Sequence, residues 1–148
     1  MQNHPKHDED FYGWALNTAA LLKQKKYHEV DMNSIIEELE EMSRSEKREL
    51  INRLAQLIFH LLKWQFQPDF RGRSWRASIK EQRQQVEIIL EQNPGLKSKL
   101  MDCIITAYKL SIPMIETETP IDMKDFPTEC PYTFEQLLDQ QFYPESQN

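Results

Sequence analysis

Ile35, Leu39, Met42, Leu50, Leu54, Leu57, Leu61 and Trp64 recur at three- and four-residue steps, and they hold one phase throughout if Glu46 fills the missing step. That period demands a helix, and unbroken it would run for about 30 residues, or roughly 45 Å. A helix this long cannot bury its apolar side alone, so the rest of the chain must supply elements that cover it. The place where it could interrupt is Ser43-Arg44-Ser45, because Ser43 and Glu46 repeat the spacing of a capping box. At its start, Asp31-Met-Asn-Ser34 offers several caps, and Ser34 with Glu37 has the same spacing.

The flanking segments also read as helices. Asp8 can cap a first helix to about Gln24, with Phe11, Trp14, Ala15, Thr18 and Leu22 on one face. Pro68 stops the long helix and Phe70 to Ser74 reads as a turn. Ser74 or Ser78 then caps a third helix whose apolar face is Trp75, Ile79, Val86 and Leu90. Asn93-Pro94 ends that helix and opens a fourth, striped with Leu96, Leu100, Ile104, Ala107, Tyr108, Ile112 and Ile115, where Pro113 should kink or end it. Residues 117 to 131 read as a surface crossing. Thr133 and Gln136 form a capping box opening a short last helix to about Asp139. The expected fold is all-α: an antiparallel bundle of four or five helices with one long central helix, one domain over 1–148, and frayed ends at 1–7 and 145–148.

Three glycines in 148 residues favour helices over a turn-rich sandwich. No apolar run is long enough to cross a bilayer, and the first ten residues turn acidic where a secretory signal would turn apolar. The expected location is cytoplasmic, with no membrane partner. Cys103 lies on an apolar stripe and reads as core. Cys130 lies in a loop with no base beside it, so neither a disulfide framework nor a zinc site is indicated.

The strings Asp8-Glu-Asp-Phe-Tyr-Gly-Trp14, Ile36-Glu-Glu-Leu-Glu-Glu-Met42, His60-Leu-Leu-Lys-Trp-Gln-Phe-Gln-Pro68, Arg73-Ser-Trp-Arg76 and Phe126-Pro-Thr-Glu-Cys-Pro-Tyr132 together resemble an uncharacterised bacterial family, domain of unknown function twenty-nine. The resemblance runs from about Asp8 to Glu145. It implies a helical fold and a bacterial source, and it brings no activity, cofactor or site residue with it. Ser43 stands where relatives are expected to have glycine.

Three chemistries compete for the remaining features. The cluster Glu37-Glu38-Leu39-Glu40-Glu41 could converge two carboxylates on a metal, with Glu38, Glu41 and His60 as weak ligand candidates for a hydrolase. A solvated or arginine-paired face is the commoner fate of such a run. The window 60–83 holds Lys63, Arg71, Arg73, Arg76, Lys80 and Arg83 against Asp69 and Glu81, interleaved with Trp64, Phe66, Phe70 and Trp75. That mixture could neutralise phosphates and stack bases in a nucleic-acid binder, although the net charge of −6 argues against a basic footprint. The candidate interaction surface is therefore His60, Lys63, Arg71, Arg73, Trp75, Arg76, Lys80 and Arg83. The expectation placed first is a non-catalytic adaptor that needs no cofactor and holds another protein through a helical face or the Phe126–Tyr132 loop. In that case the window's cations pair internally, with acidic faces such as 37–41. Oligomeric state is not legible.

Overall fold

The computed structural model describes residues 3–146. The outermost residues of the ends expected to fray, 1–2 and 147–148, lie outside them. The described residues form five α-helices and no strand, in two compact units, Met1–Arg44 and Ser45–Asn148. The helices are α1 (Phe11–Lys23), α2 (Met32–Phe66), α3 (Arg73–Gln92), α4 (Leu100–Glu118) and α5 (Phe134–Leu138), and α2 passes from the first unit into the second.

In the first unit α1 starts later than Asp8 suggests, because Asp10 is the residue whose carboxylate accepts the Gly13 amide, at 2.9 Å. The buried face of α1 is Trp14, Thr18 and Leu21; Phe11 and Leu22, expected there, are exposed. The helix closes with the Lys25 amide donating to the Leu22 carbonyl and the Lys26 amide to that of Leu21. This Schellman closure forces Lys25 to φ 61°, a left-handed conformation usually left to glycine. A 3-10 turn, Tyr27–Glu29, leads to α2.

Asp31, not Ser34, caps α2: its carboxylate accepts the Ser34 amide at 3.2 Å and the Ser34 hydroxyl at 2.7 Å. Those bonds hold the Asp31 carboxyl below its usual pKa. The helix does not break at Ser43. The hydroxyl that could have capped a new helix instead donates back to the Glu40 carbonyl at 2.8 Å, so nothing competes with the helical amides. Along this part of α2, Met32, Ile36, Leu39 and Met42 are all exposed, which corrects the expected burial of Leu39 and Met42.

The second unit holds one apolar core. α2 supplies it with Leu50, Leu54, Leu57, Ile58, Leu61, Leu62 and Trp64, and α3 adds Ile79, Val86, Ile89 and Leu90. From α4 come Leu100, Cys103, Ile104, Ala107, Tyr108, Ile112 and Ile115, so Cys103 is a core residue as its stripe implies. Gly72 is the cap residue of α3, in extended backbone, and neither Ser74 nor Ser78 takes that role because the helix already starts at Arg73. Asn93-Pro94 opens a 3-10 stretch, Pro94–Lys99, before α4 begins, and α4 runs through Pro113 to Glu118. The Thr133–Gln136 capping box forms as expected. The Gln136 amide donates to Thr133 Oγ1 at 3.1 Å and the Thr133 amide to Gln136 Oε1 at 2.9 Å.

Candidate functional site

Lys63 leaves α2 pointing inward, 8% exposed, with its ammonium over the rings of Phe59 (4.3 Å) and Trp75 (4.9 Å) and 3.6 Å from the Glu118 carboxylate. Arg71, in the turn after α2, donates through Nε to the Trp64 carbonyl at 2.7 Å and stacks on the Trp64 ring, while its buried Nη2 has no partner. Arg76 lies over Trp64 and Tyr143. Trp64 and Trp75 therefore serve as floors for the protein's own cations. Trp64 is buried and Trp75 partly so, and of the window's large rings Phe70 is the one strongly exposed. Arg73 and Lys80 sit exposed on α3 with no ion pair among the described residues.

Arg83 is placed differently, at 1% exposure inside the second unit. Its Nε donates to the Leu137 carbonyl at 2.7 Å, and Nη2 donates to those of Gln136 (3.2 Å) and Phe142 (2.8 Å). Burial pushes its pKa down from the usual guanidinium value, and Tyr143 and Asp139 act in the opposite sense. Ile79, Arg83, Val86 and Leu90 are one helical stripe. The four-residue step from Ile79 and the three-residue step to Val86 were the sequence signal that a cation here must be buried.

The acidic partners expected for these cations are used within the first unit instead. Glu40 and Glu41 pair with Arg44 one turn on, and Glu38 accepts from His7 Nε2 at 3.0 Å. His60 donates through Nδ1 to the Gln56 carbonyl at 2.9 Å, and burial lowers its pKa. Among the described residues no group of three His, Cys, Asp or Glu side chains comes together that could hold a metal ion.

His7, in the stretch 1–7 expected to fray, is a positioned residue. Its ring meets Trp14 edge-on with centroids 4.5 Å apart, and its two nitrogens face the carboxylates of Asp8 (3.1 Å) and Glu38 (3.0 Å). Two acceptors on one imidazole require both nitrogens to donate, so the arrangement selects the cation. The hydrogen bonds to Glu38 and then Asp8 raise the His7 pKa above the usual 6.5. A raised folded value means the stabilisation is complete below the unfolded pKa and is lost as pH rises through the folded one. We expect the His7 ring resonances to titrate above 6.5, and Glu38→Gln to move the midpoint down, with loss of amide protection at the start of α1 on the alkaline side. A midpoint indifferent to Glu38→Gln in an NMR titration would rule out this pairing.

A groove of about 1380 Å³ opens on the second unit. Leu90 of α3, Leu100, Met101, Ile104 and Ile105 of α4, and Phe134 and Leu138 of α5 make its apolar surface. Met101 and Ile105 are 66% and 51% exposed, so this surface faces solvent. Thr128 to Cys130 and Tyr132 close one side, which puts most of the Phe126–Tyr132 loop on the groove. Four carboxylates, Glu87, Glu91, Glu129 and Glu135, and two ammoniums, Lys97 and Lys109, line it, and none has an ion pair among the described residues. The hydroxyl of Tyr108 is already donated to the Pro127 carbonyl (2.5 Å) and that of Tyr132 to Gln65 Oε1 (2.6 Å), and burial pushes both phenols up, Tyr108 to about 12. Burial also pushes the Cys130 thiol up, which keeps it from the thiolate form a nucleophile needs.

The family model described as Domain of unknown function DUF29 matches residues 7–143. The chain belongs to this family. No curated protein and no solved structure matches it. The DUF29 match begins at His7 and ends at Tyr143, so it spans the imidazole pair, the arginine–aromatic stack and the groove alike. The DUF29 description assigns no activity to any of them. Of the surface named from sequence, His60, Lys63, Arg71, Trp75, Arg76 and Arg83 are engaged with protein groups, while Arg73 and Lys80 have no such partner among the described residues. The groove's apolar surface had not been assembled from sequence, because its residues come from three helices and look like ordinary helix faces one at a time.

Proposed function

We propose that this DUF29 protein is a non-catalytic adaptor whose groove between α3, α4 and the 128–138 segment holds a short amphipathic helix of another protein. The carrying observation is the groove's solvent-facing apolar surface rimmed by free carboxylates. A small-molecule site is usually about 300–1,000 Å³ and largely enclosed. This one exceeds that range at about 1380 Å³ and is open, with Met101 and Ile105 exposed. A helix about 10 Å across and roughly 16 Å long, some eleven residues, fills a comparable volume. Apolar anchors at three- and four-residue steps would meet Ile104, Ile105 and Leu138, as in other helix-in-groove complexes. With four carboxylates to two ammoniums, the rim selects a partner helix flanked by lysine or arginine.

The test is a displayed library of helical peptides, sorted on the purified protein and then measured singly by titration calorimetry. Enrichment of amphipathic sequences with basic flanks is expected, with binding lost in the double variant Met101→Asp/Ile105→Asp at an unchanged melting temperature. Because both side chains are more than half exposed, the variant should fold. Enrichment of acidic or purely polar peptides would refute the proposal. So would concentration-dependent dimerisation abolished by the same variant, since a second copy would then be the occupant.

A further inference from the structure

We infer that Arg73, Arg76 and Lys80, together with Gln140, Gln141 and Tyr143, form a site for a small ligand carrying adjacent phosphoryl groups. These six residues and Ala77 line a second concavity of about 470 Å³, shallower and more open than the groove, so charge rather than enclosure must hold its ligand. Positions 73, 76, 77 and 80 follow one face of the first two turns of α3. Ala77, between the cations, leaves room for a ligand to approach the helix.

The electrostatics select an anion. Among the described residues no carboxylate lines this concavity. Arg73, Arg76 and Lys80 have no carboxylate within ion-pair distance among the described residues. Three unpaired cations on two helical turns repel one another, and a bound polyanion would relieve that repulsion. Arg76 is held in place by the Trp64 and Tyr143 rings, so ordering its guanidinium costs little on binding. Gly72 gives α3 no side-chain cap, so the positive end of the helix dipole adds to the field beside Arg73. Gln140 and Gln141 bring amide donors from the segment after α5.

Geometry narrows the ligand. From residue 73 to residue 80 the helix rises about 10 Å, a row that suits two or three linked phosphoryl groups better than one. A nucleic-acid strand would need exposed rings for its bases. Trp64 is buried beneath Arg71 and Arg76, Trp75 carries Lys63, the Tyr143 ring is taken by Arg76 and Arg83, and the exposed Phe70 does not line the concavity. The occupant that fits is a short polyphosphate, such as the tail of a nucleoside triphosphate.

The experiment titrates the full chain with inorganic tripolyphosphate, inorganic phosphate and a ten-nucleotide single-stranded RNA, by calorimetry and by amide shifts. Tripolyphosphate should bind about tenfold or more tightly than phosphate, and shifts should gather at residues 73–80 and 140–143. Arg73→Gln/Lys80→Gln should weaken it by about tenfold or more through loss of two charge-assisted contacts, at an unchanged melting temperature. Since Arg73 and Lys80 are exposed, folding should survive, and the wild-type shifts locate the site without any variant. Tighter binding of RNA than of tripolyphosphate overturns the inference in favour of a strand. Shifts elsewhere, equal affinity for phosphate, or affinity indifferent to the double variant overturns it outright.

Discussion

Replacing Arg83 with methionine should destabilise the protein by about 3 kcal/mol or more, a large share of the roughly 5–15 kcal/mol that holds a domain together. The guanidinium donates to the Leu137, Gln136 and Phe142 carbonyls from a residue 1% exposed, so it is the buried closure of α5. Removing it strands carbonyl groups that met water in the unfolded chain, at about 1–3 kcal/mol for each left unpaired. Methionine keeps most of the apolar stem, so the loss reports on the hydrogen bonds more than on a cavity. Lysine should rescue only part, because one ammonium cannot reproduce the fork that reaches carbonyls within α5 and beyond its end. Urea unfolding measures the change. Arg73→Met, on the exposed side of the same helix, is the comparison and should stay within about 0.5 kcal/mol. Equal small effects at both positions would show that Arg83 is not buried in solution.

Loss of Arg83 should also reach the groove. Phe134 and Leu138 belong to the helix that Arg83 secures at Gln136 and Leu137, and both line the groove. Faster amide exchange at 134–143 in Arg83→Met, with the α2 core still protected, would mark that local release before global unfolding.

How far the sequence could be read depended on whether a feature is local. The Thr133–Gln136 box was legible because both partners lie within one turn. At the start of α2, Asp31 and Ser34 offer the same capping chemistry three residues apart, and composition alone does not rank them; the structure lets Asp31 accept both the amide and the hydroxyl of Ser34. Arg83 was read as a surface cation by residue type, although the step between Ile79 and Val86 placed it in the core. The basic window was visible, but not which of its aromatic rings would be consumed beneath its own arginines. His7 was hidden because its partner Glu38 is 31 residues away.

Leu39→Ala and Leu57→Ala test the largest error of that kind. Both leucines lie on α2 in the same helical phase, and periodicity gives no reason to treat them differently. Leu57 is 0% exposed in the core of the second unit, whereas Leu39 is 60% exposed. Truncating a buried leucine forfeits its transfer free energy and leaves a cavity, together about 2–5 kcal/mol. Leu39 already stands in water, so its truncation should change stability by less than about 0.5 kcal/mol. Phase tells which side of a helix is apolar, while burial needs a partner surface that only the tertiary fold supplies. The midpoint of urea unfolding should therefore fall sharply for Leu57→Ala and hold for Leu39→Ala, with the slope unchanged in both. If Leu39→Ala were as costly as Leu57→Ala, the first half of α2 would be covered in solution, and Met32, Ile36 and Met42 would have to be buried with it.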